Sequence, residues 1–153
     1  MQIGDLVADF SLSDQFGRTQ SLYGYLDDGP VVLFFYPAAM TKGCTMESCH
    51  FRDLKSEFEA VGAQRIGISK DTVDKQRQFS DLHEFDYPLL SDASGSVAGK
   101  FGVSRSFSLL PVKRWTFVVG TDRRLVDVIK SEVRMDSHAD RALDQLRKLS
   151  SAG

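Results

Sequence analysis

The sequence predicts an α/β domain, a three-layer sandwich whose central sheet is covered by helices on both faces. Three observations carry that prediction. The first is Val31-Val32-Leu33-Phe34-Phe35-Tyr36, a continuous β-prone apolar run that needs cover on both faces. The second is Phe51, Leu54, Phe58 and Val61, which recur at helical spacing between that run and a second apolar strand. The third is a late hairpin pattern followed by one more helical stripe.

In chain order, DFSLSDQFGRTQSL alternates and turns around Gly17, the pattern of a β-hairpin. The run from Val31 to Tyr36 is the first core strand. The helix carrying Phe51 to Val61 follows and ends at Gly62, and Arg65 to Ser69 is the next strand. Strand, helix and strand in this order form a right-handed crossover. Asp71 is placed to cap a further helix reaching about Glu84, and Ser96 to Lys100 supplies a helical turn before Gly102. Trp115–Val119 and Leu125–Ile129, joined by GTDRR, read as an antiparallel pair. Ala139, Ala142, Leu143, Leu146 and Leu149 make the apolar stripe of a closing helix. The order βαβ–α–ββα is that of the thioredoxin fold with an N-terminal β-hairpin extension, and residues 1–153 are expected to form a single domain.

A chain of 153 residues buries about two thirds of its unfolded surface. With 42% hydrophobic and 26% charged residues, the composition is that of an ordinary globular protein. A net charge of −2 argues against nucleic acid or an anionic membrane as a general partner. No apolar run approaches a membrane span, and MQIGDLVADF lacks the pattern of a secretory signal. The expected location is the cytoplasm. There a cysteine pair points to chemistry or metal binding before a structural staple.

Both cysteines fall in FFYPAAMTKGCTMESC. Cys44 stands where the strand has ended and a helix begins, beside unpaired N–H groups at the positive end of the helix dipole, which favours thiolate over thiol. Gly43 lets the backbone approach closely. Pro37 ends the strand and can wall the sulfur from water. Complete ionisation of an ordinary thiol gains at most ~30-fold at neutral pH, so donors aimed at the substrate must contribute more. Thr41, the Cys44 N–H and an arginine from elsewhere are the candidates. Cys49 raises a geometric problem. Helical positions five apart have Cα atoms about 8.6 Å apart on differing faces, beyond the ~7 Å that a disulfide tolerates. Either the two sulfurs never pair, or the first turns of the helix unwind.

Pro37-x3-Thr41-x2-Cys44, followed by Glu47 and Cys49, resembles the active-site signature of the peroxiredoxins, AhpC/TSA-like thiol peroxidases. The Cys-x4-Cys spacing is similar to that of the Q subfamily, also called bacterioferritin comigratory proteins. GDLVADFSLSDQFGRTQSL, VVLFFYP, GISKDT, YPLLSD and RWTFVVGTDRRL fall in the family's order, so the resemblance covers nearly the whole chain. It implies a peroxidase reducing hydrogen peroxide and organic hydroperoxides, with no metal, haem or flavin cofactor. Cys44 is then the peroxidatic cysteine and Cys49 the resolving one, joined as an intramolecular disulfide that thioredoxin or a similar dithiol reduces. Thr41 and Pro37 are pocket residues, Arg114 positions peroxide and thiolate, and Glu47 orients the hydrogen bonds around them. A local disulfide needs no second subunit, so a monomer, or at most a weak dimer, is expected. Ala38-Ala39-Met40 and Lys42 depart from the more polar or proline-containing residues common in the family, and Val7-Ala8-Asp9-Phe10 from Ala-Pro-Asp-Phe. These bear on substrate preference and loop mobility.

Each residue also has a plainer reading. Cys44 or Cys49 could be a small buried hydrophobe, Thr41 a helix cap, Pro37 strand punctuation and Arg114 a solvated surface residue. Glu47 could be an exposed acid in a favourable first turn. His50 after Cys49 suggests a metal set, but successive helical residues point about 100° apart and do not converge. His83 and His138 are expected to be solvated. Pro111 is placed to shape the loop before Arg114. Two other functional classes stay open. A copper-delivering thioredoxin-fold module would bind Cu(I) tightly without peroxidase activity. A redox-switched binding protein or holdase would not need Thr41 or Arg114.

Overall fold

The computed structural model of the protein describes residues 1–104, 112–131 and 134–152. Pro111 lies outside them. A seven-stranded sheet organises the chain, in the order β2-β1-β5-β4-β3-β6-β7. The N-terminal hairpin is β1 (Ser11–Ser13) and β2 (Thr19–Ser21), turning through Gly17 at φ +77°, a conformation that favours glycine. A short helix α1 (Leu22–Leu26) leads to β3 (Val31–Phe35). Next come α2 (Lys42–Asp53), α3 (Lys55–Ala60) and β4 (Gln64–Ser69). After them follow α4 (Val73–His83), β5 (Leu89–Ser91) and α5 (Ser96–Lys100). The chain closes with β6 (Trp115–Val119), β7 (Leu125–Lys130) and α6 (Met135–Ala152).

The central strand explains the sandwich. Every residue of β3 is buried, and successive side chains point to opposite faces. Val31, Leu33 and Phe35 enter one apolar cluster with Leu22, Val97, Phe101 and Phe117. Val32, Phe34 and Tyr36 enter the other, with Phe51, Phe58, Phe79, Ala142 and Leu146. Hence α1 and α5 cover one face, and α2, α3, α4 and α6 the other. Parallel pairing of β3 with β4 and of β4 with β5, and antiparallel pairing of β3 with β6, give the expected thioredoxin arrangement.

Several expectations need correction. The helix predicted across Phe51 to Val61 is two, because Leu54 leaves helical geometry at φ −92°, ψ 21°. Its apolar side still packs as expected, with Phe51 and Phe58 fully buried. Asp71 does not cap α4. Thr72 does, its side chain accepting from the Lys75 N–H at 3.2 Å. The Asp71 carboxylate instead accepts from the Ala39 N–H at 2.8 Å and from the Ser69 hydroxyl at 2.7 Å, tying the segment before α2 to the end of β4. Leu149 is 42% exposed and lines an open cavity with Pro30, Val61 and Val126. His83 packs edge-on to Phe79 and stacks on Phe85. No described helix is long and apolar enough to cross a membrane.

Candidate functional site

The register of the sheet brings the site together. Phe34 pairs with Thr116 across β3 and β6, so Arg114, two residues earlier, comes level with the end of β3 where the chain turns into α2. Pro37 is buried at that turn. Met40 follows with φ +67°, an uncommon left-handed conformation for a residue with a side chain. Thr41 is the N-cap of α2, but its side chain makes no cap bond. Its hydroxyl donates to the Ala38 carbonyl at 2.8 Å. The first backbone N–H groups of a helix lack intrahelical partners, and Cys44, third residue of α2, lies among them.

Cys44 is fully buried. Arg114, 7% exposed, forks between two acceptors. Its Nη2 donates to Cys44 Sγ at 3.3 Å and its Nη1 to Glu47 Oε1 at 3.4 Å. A guanidinium can hold two groups at fixed separation in this way because its donors are planar and rigid. A Cβ added at Gly43 would stand 3.2 Å from Arg114 Nη2, so the glycine makes room for the arginine as well as for the sulfur.

Glu47 is not the exposed acid that its position in the chain suggests. Cys44, Glu47, Ser48 and Phe51 form the buried stripe of α2, and Glu47 is fully enclosed. His138, expected in solvent, is also fully enclosed. Its Nε2 lies 3.5 Å from Glu47 Oε2 and 2.7 Å from the Ser131 carbonyl oxygen. Its Nδ1 lies 2.7 Å from the Thr116 hydroxyl. Sequence reasoning missed this histidine, although it stands four residues before Ala142 and eight before Leu146 on the stripe of α6.

Cys49 shares α2 with Cys44 but falls on another face, partly buried, and both thiols are free. It borders a shallow cavity of about 280 Å³ lined by Met46, His50, Asp53, Met135 and Asp136. Burial pushes the Cys49 thiol above its ordinary value; Arg52 offsets part of that rise and Asp53 adds to it. The distal half of α2 is pinned. Tyr87 donates to the Ser48 carbonyl at 2.6 Å and Arg65 to the Phe51 carbonyl at 2.9 Å. Phe51 stacks on Phe34 with centroids 4.1 Å apart. His50 faces Asp140 at 2.8 Å, and among the described residues no three metal-ligating side chains gather. The structure thus joins Cys44, Arg114 and Glu47, sets Thr41 and Pro37 at the entry to the same helix, and holds Cys49 apart.

The AhpC/TSA family model matches residues 3–128. The chain is 60% identical to a peroxidoxin, BcpB, from Mycobacterium tuberculosis, whose crystal structure superimposes with a TM-score of 0.94 over 97% of this chain and 98% of that one. A chloroplastic peroxiredoxin Q of Sedum lineare is 35% identical, over 95% of this chain and 78% of that protein. The bacterioferritin comigratory protein of Xanthomonas campestris, studied for alkyl peroxide reduction, is 29% identical with a TM-score of 0.85, covering 92% of each chain. A buried cysteine at a helix start beside an arginine, matched across nearly the full length by such relatives, means that the chain belongs to the AhpC/TSA family as a peroxiredoxin, a thiol-dependent peroxidase among the oxidoreductases.

Proposed function

We propose that Cys44 is the peroxidatic cysteine of a cycle resolved within one chain, acting on hydrogen peroxide and organic hydroperoxides. The Cys44 thiolate attacks the distal peroxide oxygen, the O–O bond breaks, and the departing alkoxide or hydroxide takes up a proton to leave as alcohol or water. Cys44 is left as sulfenic acid. Arg114 and the Cys44 N–H stabilise the charge moving onto the leaving oxygen. Thr41 spends its hydroxyl hydrogen on the Ala38 carbonyl, so its lone pairs face outward to accept from the peroxide O–H. Pro37 screens the sulfur from water, and Glu47 orients Arg114. The single observation that carries this reading is the Arg114 fork, with one Nη on the sulfur and the other on a buried carboxylate.

Cys49 then attacks the sulfenic sulfur, a disulfide forms and water leaves. This requires the start of α2 to unwind, because both cysteines lie within one continuous helix. A thioredoxin-like dithiol reduces the disulfide, so a reducing compartment, the cytoplasm, is the proposed setting. The chain works as a single domain and a monomer, since the disulfide is local.

One equivalent of peroxide tests the cycle. Mass spectrometry is expected to find two hydrogens lost within one chain, mapped to the peptide holding Cys44 and Cys49. A stable sulfenic acid, or a disulfide between chains, would refute the intramolecular step. The same step has a predictable pH dependence. The helix holds Cys49 with a raised thiol value, so the neutral thiol stabilises the helical state fully below the ordinary value of about 8.5. That contribution is lost as pH rises through that value towards the raised one. Disulfide formation, followed by rapid quenching, is therefore expected to accelerate as pH climbs above about 8.5.

A further inference from the structure

We infer that His138 is a positioning residue which, through Glu47, latches the first turns of α2 and so sets how long oxidised Cys44 stays in its pocket. The inference rests on the Cys44–Cys49 cycle proposed above. Glu47 stands between the two cysteines in sequence and faces inward with no exposure. A buried carboxylate stays charged only where cations or donors replace the lost water. Among the described residues two groups face it, Arg114 from just before β6 and His138 from α6.

His138 is well placed to hold its position. The Ser131 carbonyl can only accept, so the ring nitrogen 2.7 Å away, Nε2, carries a hydrogen. That same N–H faces Glu47 Oε2. Nδ1 accepts from the Thr116 hydroxyl when the ring is neutral and donates to it when charged, so either form keeps Nε2–H directed at the same two oxygens. The histidine thus ties the reactive segment of α2 to α6 and, through Thr116, to the strand that follows Arg114. From Ser48 onward the helix has separate anchors, Tyr87 on Ser48 and Arg65 and Phe34 on Phe51. Unwinding that frees Cys49 must therefore extract Glu47 while leaving the helix from Phe51 onward in place.

The sulfenic acid has two fates. With the Cys49 thiol it gives a disulfide and water, which needs the latch open. With a second hydroperoxide it gives sulfinic acid and an alcohol or water, which uses the closed pocket and Arg114. The strength of the latch sets the ratio of the two.

The test compares His138→Leu, His138→Gln and Thr116→Val by rapid-quench mass spectrometry under excess peroxide. In His138→Leu the ratio of disulfide to sulfinic acid is expected to rise about fivefold, the scale on which side chains in direct contact couple. His138→Gln, which keeps an N–H donor, should recover most of the wild-type ratio. Thr116→Val, close in volume, should shift it in the same direction as His138→Leu. In a Glu47→Gln background His138→Leu should add nothing, whereas a merely structural histidine would lower stability equally in both backgrounds and leave the ratio alone. A wild-type ratio in His138→Leu, or an undiminished increment beside Glu47→Gln, overturns the inference. A parallel series in Cys49→Ser separates this from failure of the cycle itself. There the His138→Leu exchange should still speed hydrogen exchange of the α2 amides between Cys44 and Cys49 about fivefold, since that rate follows the open fraction of the helix, and unchanged exchange overturns the latch whether or not Cys49 is the resolving thiol.

Discussion

Replacing Cys44 with serine is expected to reduce peroxide consumption to background, a loss on the order of 10⁵–10⁶-fold, the scale on which an enzyme suffers from losing its covalent nucleophile. The reason is chemical more than structural. A serine hydroxyl stays protonated at neutral pH and cannot accept oxygen as a thiolate does. The fold should survive, because Arg114 Nη2, which stands 3.3 Å from the sulfur, remains as a donor for the new hydroxyl. The buried polar group is then partnered, which keeps its cost to about 1–2 kcal/mol. Thermal unfolding beside a peroxide-consumption assay checks both halves. A folded Cys44→Ser protein that retained most of its turnover would move the nucleophile to Cys49 and dissolve the site built around Arg114.

What the sequence disclosed follows from which interactions are local. Residues 31–36 could be read as a central strand because a run with no polar face needs two covers, and β3 is buried throughout. The placement of Cys44 followed from a proline, a strand end and a helix start that are neighbours in the chain. Glu47 and His138 depend instead on the register of β6 against β3 and on the docking of α6, contacts spanning 67 and 91 residues. Even so, periodicity carried a trace of them. Cys44, Glu47, Ser48 and Phe51 have the spacing of one helical face, so an acid on that face called for a buried cation. His138 falls on the stripe of Ala142 and Leu146 in the same way. The strand β5 left little pattern, since three residues cannot display alternation. Asp71 misled because a side chain that could cap its own helix was recruited by Ala39, 32 residues earlier.

Arg114→Lys is expected to lower the second-order rate with peroxide by about 10²–10³-fold, corresponding to the ~2.7–4 kcal/mol lost with one donor to a developing oxyanion. Lysine is the informative substitution because it preserves the charge and removes only the fork. The guanidinium serves the sulfur and Glu47 from two nitrogens, and a single ammonium cannot occupy both positions. Glu47 is fully buried, and stripping away its cation would risk the ~3–5 kcal/mol penalty of a broken buried pair, confusing instability with lost catalysis. An ammonium drawn to the carboxylate would leave the fold largely intact and the sulfur without its donor. The variant should therefore unfold near the wild-type temperature while the peroxide step slows in stopped-flow measurements. A rate within a few-fold of wild type would mean that the fork has no catalytic part, and would favour a cysteine switch over an enzyme that holds its transition state.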